Sequence, residues 1–524
     1  MCRDIGRLVL VVVTLALPAC GVFGPKAGAA EPQNLLKDAA WEFCIDGGRT
    51  FTQQLPTIGP GKTVLVMVRG TFTVSEQSIF ANDDELPYAV LELTHGIDPR
   101  QTMSFALNGR RIDPPLKGMR YQTIPAIDAR RLKRGKNVLT ADVAVKNRRD
   151  KPIKFAPEMS LVPLDSSRLA FQTAPVFGAF DKDYFSITCR TNMPATVGIY
   201  RGGQAGGSAV AASGPGLIHR LRISRGPDAA AQDYSLTAER DGYKVGLVFR
   251  PPVPAKGKVV FAACGDSRTH VRDWQKVAAA MAKARPGLVV FSGDMVTSGR
   301  DDWLWDEQFF GPAGEFFAAV PFYAVIGNHE GNAPLFDEIF YTPSADGRSR
   351  NWVQTIGGAL LIGIDGDQDF AAGSDNARWL EQTLSQSGAR FIFLFTHYPA
   401  WSSGGHGRLD ADGKPVEKPV RQSREIIMPL LVKYKATAMI AGHDHFYERS
   451  APPGGVTMII SGGAGAPLYK KAADAEKQNP YSKVFASKLH YCLFEAAGET
   501  CTMKAVTPEG KVIDSMTWQG RDVK

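Results

Sequence analysis

Five short polar runs in the second half of the chain each follow an apolar stretch of β-forming residues. The runs are GDSR (265–268), GDMVT (293–297), GNHE (327–330), FTHYP (395–399) and AGHDHFYER (441–449). Helix-like segments separate several of them, which predicts an open α/β sheet. Such sheets bind ligands beyond the carboxyl ends of their strands. The Asp, Asn and His side chains of the runs are therefore expected to converge there and to bind two metal ions.

The order Asp, Asp, Asn-His, His, His-x-His resembles the calcineurin-like metallophosphoesterase superfamily, and within it the purple acid phosphatase branch. The runs GHDHFYERSAP (442–452), GGAGAPL (462–468) and THYPAWSSGGH (396–406) are similar to that branch in order and spacing. The resemblance covers about residues 256–524. It implies an α/β domain of the αββα-sandwich type that hydrolyses phosphoesters with two divalent or trivalent metal ions, Fe, Zn or Mn.

The resemblance also implies a role for individual residues. The implied metal ligands are Asp266, Asp294, Asn328, His397, His443 and His445. Asp266 and His445 would bind one ion, Asn328, His397 and His443 the other, and Asp294 would bridge the two. His329 matches the general acid of the family, and His406 matches a histidine that contacts the substrate.

Two positions depart from the family pattern. Purple acid phosphatases carry a tyrosine three residues after the bridging aspartate, where this chain has Thr297, so the tyrosinate colour is not expected. Other superfamily members place a histidine two residues after the first aspartate, where this chain has Arg268. One metal site is therefore a protein ligand short. The permanently charged guanidinium of Arg268 can instead bind the substrate phosphate and offset its charge during catalysis.

Other function classes stay open at this point. A glycine–aspartate pair after a strand is by itself only turn chemistry, so the metal-site prediction depends on all five runs in order. A phosphodiesterase or a nucleotidase would use the same metals as a phosphomonoesterase. A carbohydrate- or matrix-binding protein with a relict catalytic domain would be expected to have lost metal ligands, and none of the matching positions is lost here.

Residues next to the polar runs are predicted to be structural. Tyr447 and Arg449 are expected to form a packed ring and an ion pair, and Ser402 and Ser403 a flexible rim of the pocket. The amphipathic stretch HVRDWQKVAAAMAKA (270–284) predicts a helix that ends before the following proline.

The chain upstream of the polar runs is strand-like and turn-rich. Alternating stretches in residues 31–165 predict an all-β sandwich. Two of its phrases, FALNGRRI and LKRGKNVLTADVAVKN, resemble galactose-binding-like jelly rolls, which implies a glycan contact, although we favour a spacing or docking role. Residues 166–252 resemble the fibronectin-type sandwich that precedes the catalytic domain in larger purple acid phosphatases. The predicted fold is thus multidomain, with two N-terminal all-β sandwiches, a Pro-rich linker (251–258) and an α/β domain.

The first 30 residues predict an export signal. Arg3 and Arg7 precede the apolar run 8–17, which is too short to span a bilayer. The sequence LPAC that ends at Cys20 resembles a bacterial lipoprotein cleavage box, which would leave a lipid on that cysteine, whereas a cut near Ala30 would release a soluble protein. The protein is therefore expected in the periplasm, in the cell envelope or outside the cell.

Charge and cysteine content add two constraints. The net charge of +8 is modest for 524 residues, the basic residues are scattered, and the sequence contains no nucleic-acid-binding motif. Export permits disulfides, and Cys492 and Cys501 on one predicted terminal hairpin are candidates for a pair. Cys264 is expected to be a buried packing residue.

Overall fold

The computed structural model describes residues 33–45, 50–74, 90–98, 100–180, 183–202, 208–224, 232–251, 257–318, 320–340 and 350–522. The predicted export signal with Cys20, and residues 252–256 of the Pro-rich linker, lie outside these ranges. Within them, no helix has both the length and the apolar character needed to cross a membrane.

The first ten strands are antiparallel and form the first β unit. They are β1 (Ala40–Ile45), β2 (Thr57–Ile58), β3 (Thr63–Val74), β4 (Val90–His95), β5 (Thr102–Leu107), β6 (Arg110–Ile112), β7 (Thr123–Asp128), β8 (Gly135–Lys146), β9 (Ile153–Lys154) and β10 (Met159–Leu164). Hydrogen bonds order them as β1-β3-β8-β5-β6, β10-β4-β7 and β2-β9. Alternate residues such as Val66 and Val68 of β3 are buried, and they share one apolar cluster with Leu91 and Leu93 of β4.

Five further strands form the second β unit. They are β11 (Val176–Phe180), β12 (Tyr184–Arg201), β13 (Ala211–Ser224), β14 (Tyr234–Arg240) and β15 (Tyr243–Phe249). The sequence predicts a fibronectin-type sandwich here, and hydrogen bonds link all five strands into one antiparallel network that runs through β12. The reason is the length of β12, which has 18 residues. β13 pairs with both halves of β12, β11 pairs with the first half and β14 with the second, and the β12–β13 register shifts between Arg190 and Ala195.

The remaining strands form two mixed sheets, and we call this part the catalytic unit, after the role that the family resemblance implies. They are β16 (Lys258–Cys264), β17 (Leu288–Phe291), β18 (Phe322–Ala324), β19 (Trp352–Ile356), β20 (Ala359–Gly363), β21 (Phe391–Phe395), β22 (Ala438–Ala441), β23 (Tyr447–Ser450), β24 (Thr457–Ser461), β25 (Ser482–Ala486), β26 (Tyr491–Ala497), β27 (Thr500–Val506) and β28 (Val512–Gln519). Their orders are β18-β17-β16-β26-β27-β28 and β19-β20-β21-β22-β24-β23-β25. Strands β16 to β18 are parallel, as are β20, β21, β22 and β24. Their carboxyl ends therefore lie at one edge of each sheet.

Two helices of the catalytic unit are longer than two turns, Val271–Ala284 and Asp375–Ser385. The first matches the predicted helix. The shorter helices are Asp302–Leu304, Gly311–Ala313, Pro334–Ile339, Lys418–Gln422, Met428–Lys433 and Ala475–Gln478. There are π-helical turns at Trp305–Phe310 and Ser423–Ile427, and 3₁₀ turns at Ala129–Arg131, Ser166–Arg168, Gly314–Ala318 and Gly405–Gly407.

Side-chain alternation along the strands gives the catalytic unit four layers. Phe261 of β16 meets Phe393 of β21 between the sheets, with ring centroids 5.3 Å apart. The residues next to them along these strands place their side chains on the opposite face of each sheet. Cys264 packs on Met281 of the first long helix, and Ile392 belongs to the cluster of Leu380 in the second. The helix–sheet–sheet–helix order is the αββα arrangement that the family resemblance implies.

The candidate disulfide in the terminal hairpin does not form. Cys492 lies opposite Ala505, and Cys501 lies opposite Ala496, so the two cysteines are not cross-strand neighbours. Both thiols are free and buried. Cys264 is also buried, with its sulfur 3.7 Å from that of Met281, as a packing role predicts.

Candidate metal centre

The loops after the parallel strands bring the predicted ligands together through tight backbone geometry. Asp266 (φ 63°), Asp294 (φ 58°) and His443 (φ 73°) all occupy the left-handed region, which residues other than glycine rarely adopt. A β-carbon on Gly327 would lie 2.4 Å from Oδ1 of Asp294. The glycine of the GNHE run is therefore required for two loops to approach each other.

The first cluster of ligand-type side chains comprises Asp266, Asp294 and His445. One ligand atom from each lies within 4.8 Å of the other two, and all three residues are buried. Nδ1 of His445 donates to the carbonyl of Pro467 (2.7 Å), so its Nε2 faces Oδ1 of Asp266 at 3.6 Å. Two carboxylates and one imidazole nitrogen are a donor set that suits a transition-metal ion.

The second cluster comprises Asn328, His397 and His443, beside Asp294. Nδ1 of His397 donates to the carbonyl of Ser292 (2.7 Å), which leaves a lone pair on Nε2. That Nε2 lies 3.0 Å from Oδ1 of Asn328, 3.0 Å from Nδ1 of His443 and 3.5 Å from Oδ1 of Asp294. Electron-pair donors from four side chains thus point at one place. A cation would relieve the repulsion among them, so the residues fit a metal ion.

Burial prepares these imidazoles to bind metal. It lowers the pKa of His443 to about 3 and that of His445 to about 4, and it lowers the pKa of His397 as well. Neutral imidazole is the form that binds a metal ion. Burial, and then the nearby charge of Asp294, raise the pKa of Asp266 well above its usual value. Bound cations would offset this repulsion between the two carboxylates.

The general-acid candidate, His329, lies at the mouth of this arrangement. Its side chain is 28% exposed, and its Nε2 is 3.8 Å from Oδ2 of Asp294. Its Nδ1 donates to the carbonyl of Thr297 (2.7 Å). Its backbone N–H donates to Oδ1 of Asp294 (3.0 Å). The ring is therefore fixed through Nδ1 and the backbone, and Nε2 is the nitrogen available for proton transfer.

The side chain of Arg268 lies against the first cluster. Its Nε donates to Oδ2 of Asp294 at 3.3 Å, and its Nη2 is 3.4 Å from Nε2 of His445. It also forms a hydrogen bond with Tyr469, whose ring stacks on His445 with centroids 4.0 Å apart. Tyr469 is a residue of this site that the sequence motifs did not indicate.

The side chain of Thr297 is bonded to a residue outside the two candidate ligand clusters. Its hydroxyl and its backbone N–H both donate to Oε1 of Gln308 (2.8 Å each). We therefore expect protein loaded with ferric iron to lack a strong visible tyrosinate band when its absorption spectrum is measured. A strong band would contradict this expectation, and its loss in Tyr469→Phe would identify the neighbouring ring as the ligand.

Glu417 is a second site residue without a sequence motif. Its Oε1 accepts from Nδ1 of His406 (2.6 Å), and its Oε2 accepts from Nε2 of His443 (2.8 Å). These three residues form another cluster with ligand atoms within 4.8 Å of one another. Glu417 thus orients a metal-ligand candidate, as carboxylates commonly do. Burial lowers the pKa of His406, but the bond to Glu417 and the negative charges of Asp444, Glu417 and Asp294 together outweigh burial, so that pKa is raised.

Glu330, the last residue of GNHE, holds together the two loops that carry the candidate ligands Asp294 and Asn328. Its carboxylate is fully buried and accepts backbone N–H groups of Asp294 (2.8 Å), Met295 (2.7 Å) and Gly327 (2.8 Å). Burial raises its pKa to about 7. The sequence identified the run but not the structural role of its glutamate.

The residues after GHDH are structural, as predicted, whereas the predicted pocket rim is wrong. Tyr447 and Arg449 both bond to Asp514 (2.6 Å each). Ser402 and Ser403 are buried instead of forming a flexible rim. Their hydroxyls donate to the carboxylates of Asp444 and Glu448, because these carboxylates are themselves buried and need donors.

Comparison with known proteins agrees with this geometry. Residues 259–447 match the calcineurin-like phosphoesterase family. Tartrate-resistant acid phosphatase type 5 of Rattus norvegicus is 25% identical over 169 residues, 27% of this chain and 48% of the relative. Probable purple acid phosphatase 20 of Arabidopsis thaliana is 25% identical over 268 residues, 48% of this chain and 56% of the relative. The chain thus spans about half the length of these two relatives.

A relative described as inactive and a solved structure complete the comparison. Probable inactive purple acid phosphatase 24 of Arabidopsis thaliana is 22% identical over 43% of this chain and 37% of its own length. The structure of purple acid phosphatase PPD1 from yellow lupin (Lupinus luteus) seeds superposes with a TM-score of 0.59 at 16% identity, covering 90% of this chain and 94% of that one. At such identity the likeness concerns the fold alone. With its family match and its converging ligands, the chain carries a calcineurin-like phosphoesterase domain of the purple acid phosphatase-like branch.

Proposed function

We propose that this protein hydrolyses phosphate monoesters with two metal ions bridged by Asp294. The observation that carries the proposal is the position of this carboxylate. Its Oδ1 lies 3.5 Å from Nε2 of His397, and the side chain also belongs to the cluster of Asp266 and His445. Asp266 and His445 would hold one ion, and Asn328, His397 and His443 the other. When bound, the ions, Fe, Zn or Mn, would lower the pKa of an attacking water molecule and offset phosphoryl charge.

The protein side chains supply the remaining steps. Arg268 is the candidate phosphate contact, because its permanently charged guanidinium lies beside Asp294 and its side chain is 15% exposed. His406, whose ring is oriented by the hydrogen bond from its Nδ1 to Glu417 (2.6 Å), is the second candidate contact for the phosphate. His329 gives the proton on its Nε2 to the leaving oxygen, since its Nδ1 is already engaged by the carbonyl of Thr297.

An activity screen of the purified protein with metal analysis tests the proposal. We expect alkyl and aryl monoesters to be hydrolysed faster than diesters, with loss of activity on chelation and recovery on repletion. Faster hydrolysis of diesters or nucleotides would favour a phosphodiesterase or nucleotidase. Full metal content without hydrolysis of any phosphoester would favour the carbohydrate- or matrix-binding alternative.

The proposal extends to domain boundaries and location. We assign residues 31–165 and 166–252 to two N-terminal β domains and residues 256–524 to the catalytic domain. Residues 1–30 would be an export signal, which places the protein in the periplasm, the envelope or outside the cell. A glycan contact of the first domain rests on resemblance alone.

The lipid anchor is tested at the mature N-terminus. In a bacterial host, mass spectrometry is expected to show a lipid on Cys20, because the preceding LPA resembles the lipoprotein cleavage box. Cys20→Ser should abolish the modification and serves as the control. A free N-terminus near Ala30 in the wild-type protein would contradict the anchor.

A further inference from the structure

The 297–306 segment of the catalytic unit lies directly behind the general-acid candidate. The carbonyl of Thr297 accepts from Nδ1 of His329 (2.7 Å), and the N–H of Gly299 donates to the carbonyl of His329 (2.8 Å). The buried indole of Trp305 donates to the carbonyl of Gly299 (2.8 Å). The ring and the backbone of His329 are thus both bonded to this segment, so its position sets the position of the acid.

Arg120 of the first β unit forms hydrogen bonds with the same segment. Its backbone N–H donates to the carbonyl of Arg300 (2.6 Å), and its carbonyl accepts from the N–H of Asp302 (3.0 Å). Its Nη2 donates to Oγ of Ser298 (2.8 Å) and to Oδ2 of Asp301 (2.8 Å). Asp301 is buried and the Arg120 side chain is 31% exposed, so solvent screens this charged contact only in part. Ser298 directly follows Thr297, whose carbonyl accepts the hydrogen bond from Nδ1 of His329.

The second β unit forms hydrogen bonds with the C-terminal end of the segment. Arg190 is buried, and it donates to Oδ1 of Asp302 (2.9 Å) and to Oδ1 of Asp306 (3.0 Å). Gln172 donates to Oδ2 of Asp306 (2.8 Å). Both β units therefore contact one short piece of the catalytic unit, and Arg120 is the anchor nearer to His329.

Arg120 is not required to hold the units together, since an apolar interface already does so. Met119 and Tyr121, its neighbours, belong to one continuous buried cluster with Leu335 and Phe336 of the catalytic unit. Such a cluster supplies the association energy through removal of apolar surface from water. The polar contacts of Arg120 then fix the position of the 297–306 segment.

We propose that Arg120 is a positioning residue for His329, so that the first β unit completes the acid-catalytic machinery of the neighbouring unit. The inference rests on the proposed function of His329 as the general acid. It also gives the first β unit a specific role in catalysis in place of the general spacing role expected from sequence.

Full-length Arg120→Ala, Arg120→Lys and Arg111→Ala test the proposal. Arg111 is the matched control, because it belongs to the same β unit and its side chain is exposed and paired with Asp113 (2.8 Å). For Arg120→Ala we expect kcat to fall at least about tenfold more on an alkyl phosphate than on an activated aryl phosphate, since displacing a catalytic group by about 1 Å can cost about 10²-fold. For Arg120→Lys, the difference between the two substrates should lie between those of the wild type and Arg120→Ala. Metal content should be unchanged in all variants.

Hydrogen exchange with mass spectrometry supplies a readout that needs no turnover. Peptides covering residues 297–306 should exchange faster in Arg120→Ala than in Arg111→Ala. Equal losses on both substrates, or unchanged exchange in this segment, would overturn the positioning role. If Arg120→Ala does not fold, the substrate comparison and the exchange comparison are made on Arg120→Lys, and they test the positioning role in the same way. A wild-type protein that hydrolyses no phosphoester would overturn the proposed function instead, and the exchange data would separate that failure from this one.

Discussion

Asp294→Ala is expected to lose both metal ions and to reduce turnover by more than about 10³-fold. The carboxylate is buried, lies 3.5 Å from Nε2 of His397 and shares a cluster with Asp266 and His445, so its removal takes a ligand from both ions. The loss of one preorganised charge-stabilising group alone costs about 10²–10³-fold. Metal analysis after dialysis, with phosphatase assays before and after metal repletion, measures both effects.

Two variants make the result specific to the metal centre. Asp294→Asn keeps an oxygen to accept the backbone N–H of His329, a bond of 3.0 Å in the wild type, but it loses the bridging charge. It should fold as the wild type does by circular dichroism and still bind metal poorly. Asp412→Ala changes an exposed aspartate outside the site and should retain full activity. Near-normal turnover by Asp294→Ala after chelation and repletion would contradict the binuclear site.

The convergence of the candidate metal ligands could be predicted because each follows a buried strand in a short run of specific residue types. Strand ends in parallel sheets converge, so linear order was enough to place Asp266, Asn328 and His443 near one another. The αββα layers were implied by the family resemblance, and they form because alternation along β16 and β21 divides buried residues between two faces.

The residues that orient the ligands could not be predicted in the same way. Glu417 lies in a loop without a motif, and only the fold brings it to His406 and His443. Its partners are distant in sequence, so no local spacing reveals them. The same holds for Arg120, which reaches Asp301 from another unit, and for Tyr469, which is recognisable only by its stacking on His445.

Register and burial explain the wrong predictions. A hairpin can be predicted from two apolar runs, but the offset between them decides whether Cys492 and Cys501 face each other, and they do not. Ser402 and Ser403 look like turn residues, yet both are buried beside carboxylates that require donors.

His329→Asn is expected to affect substrates according to their leaving group. An alkoxide of high pKa cannot depart unprotonated, whereas a nitrophenolate nearly can. Activity on an alkyl phosphate should therefore fall roughly 10²–10⁴-fold, and activity on an activated aryl phosphate much less. Metal content should stay near normal, because Asn328 and not its neighbour faces Nε2 of His397 at 3.0 Å. Steady-state kinetics on the two substrate types, with metal analysis, measure the difference.

His270→Asn is the matched control, since this histidine directly precedes a helix and its side chain is 51% exposed. It should leave both activities unchanged. If His329→Asn reduces both substrates equally while both metals remain bound, His329 acts on the phosphoryl group and not on the leaving oxygen. The positions of its two nitrogens make these outcomes distinguishable. Nδ1 is engaged by the carbonyl of Thr297, so only Nε2 can contact the substrate, and a proton given from it matters in proportion to the basicity of the departing oxygen.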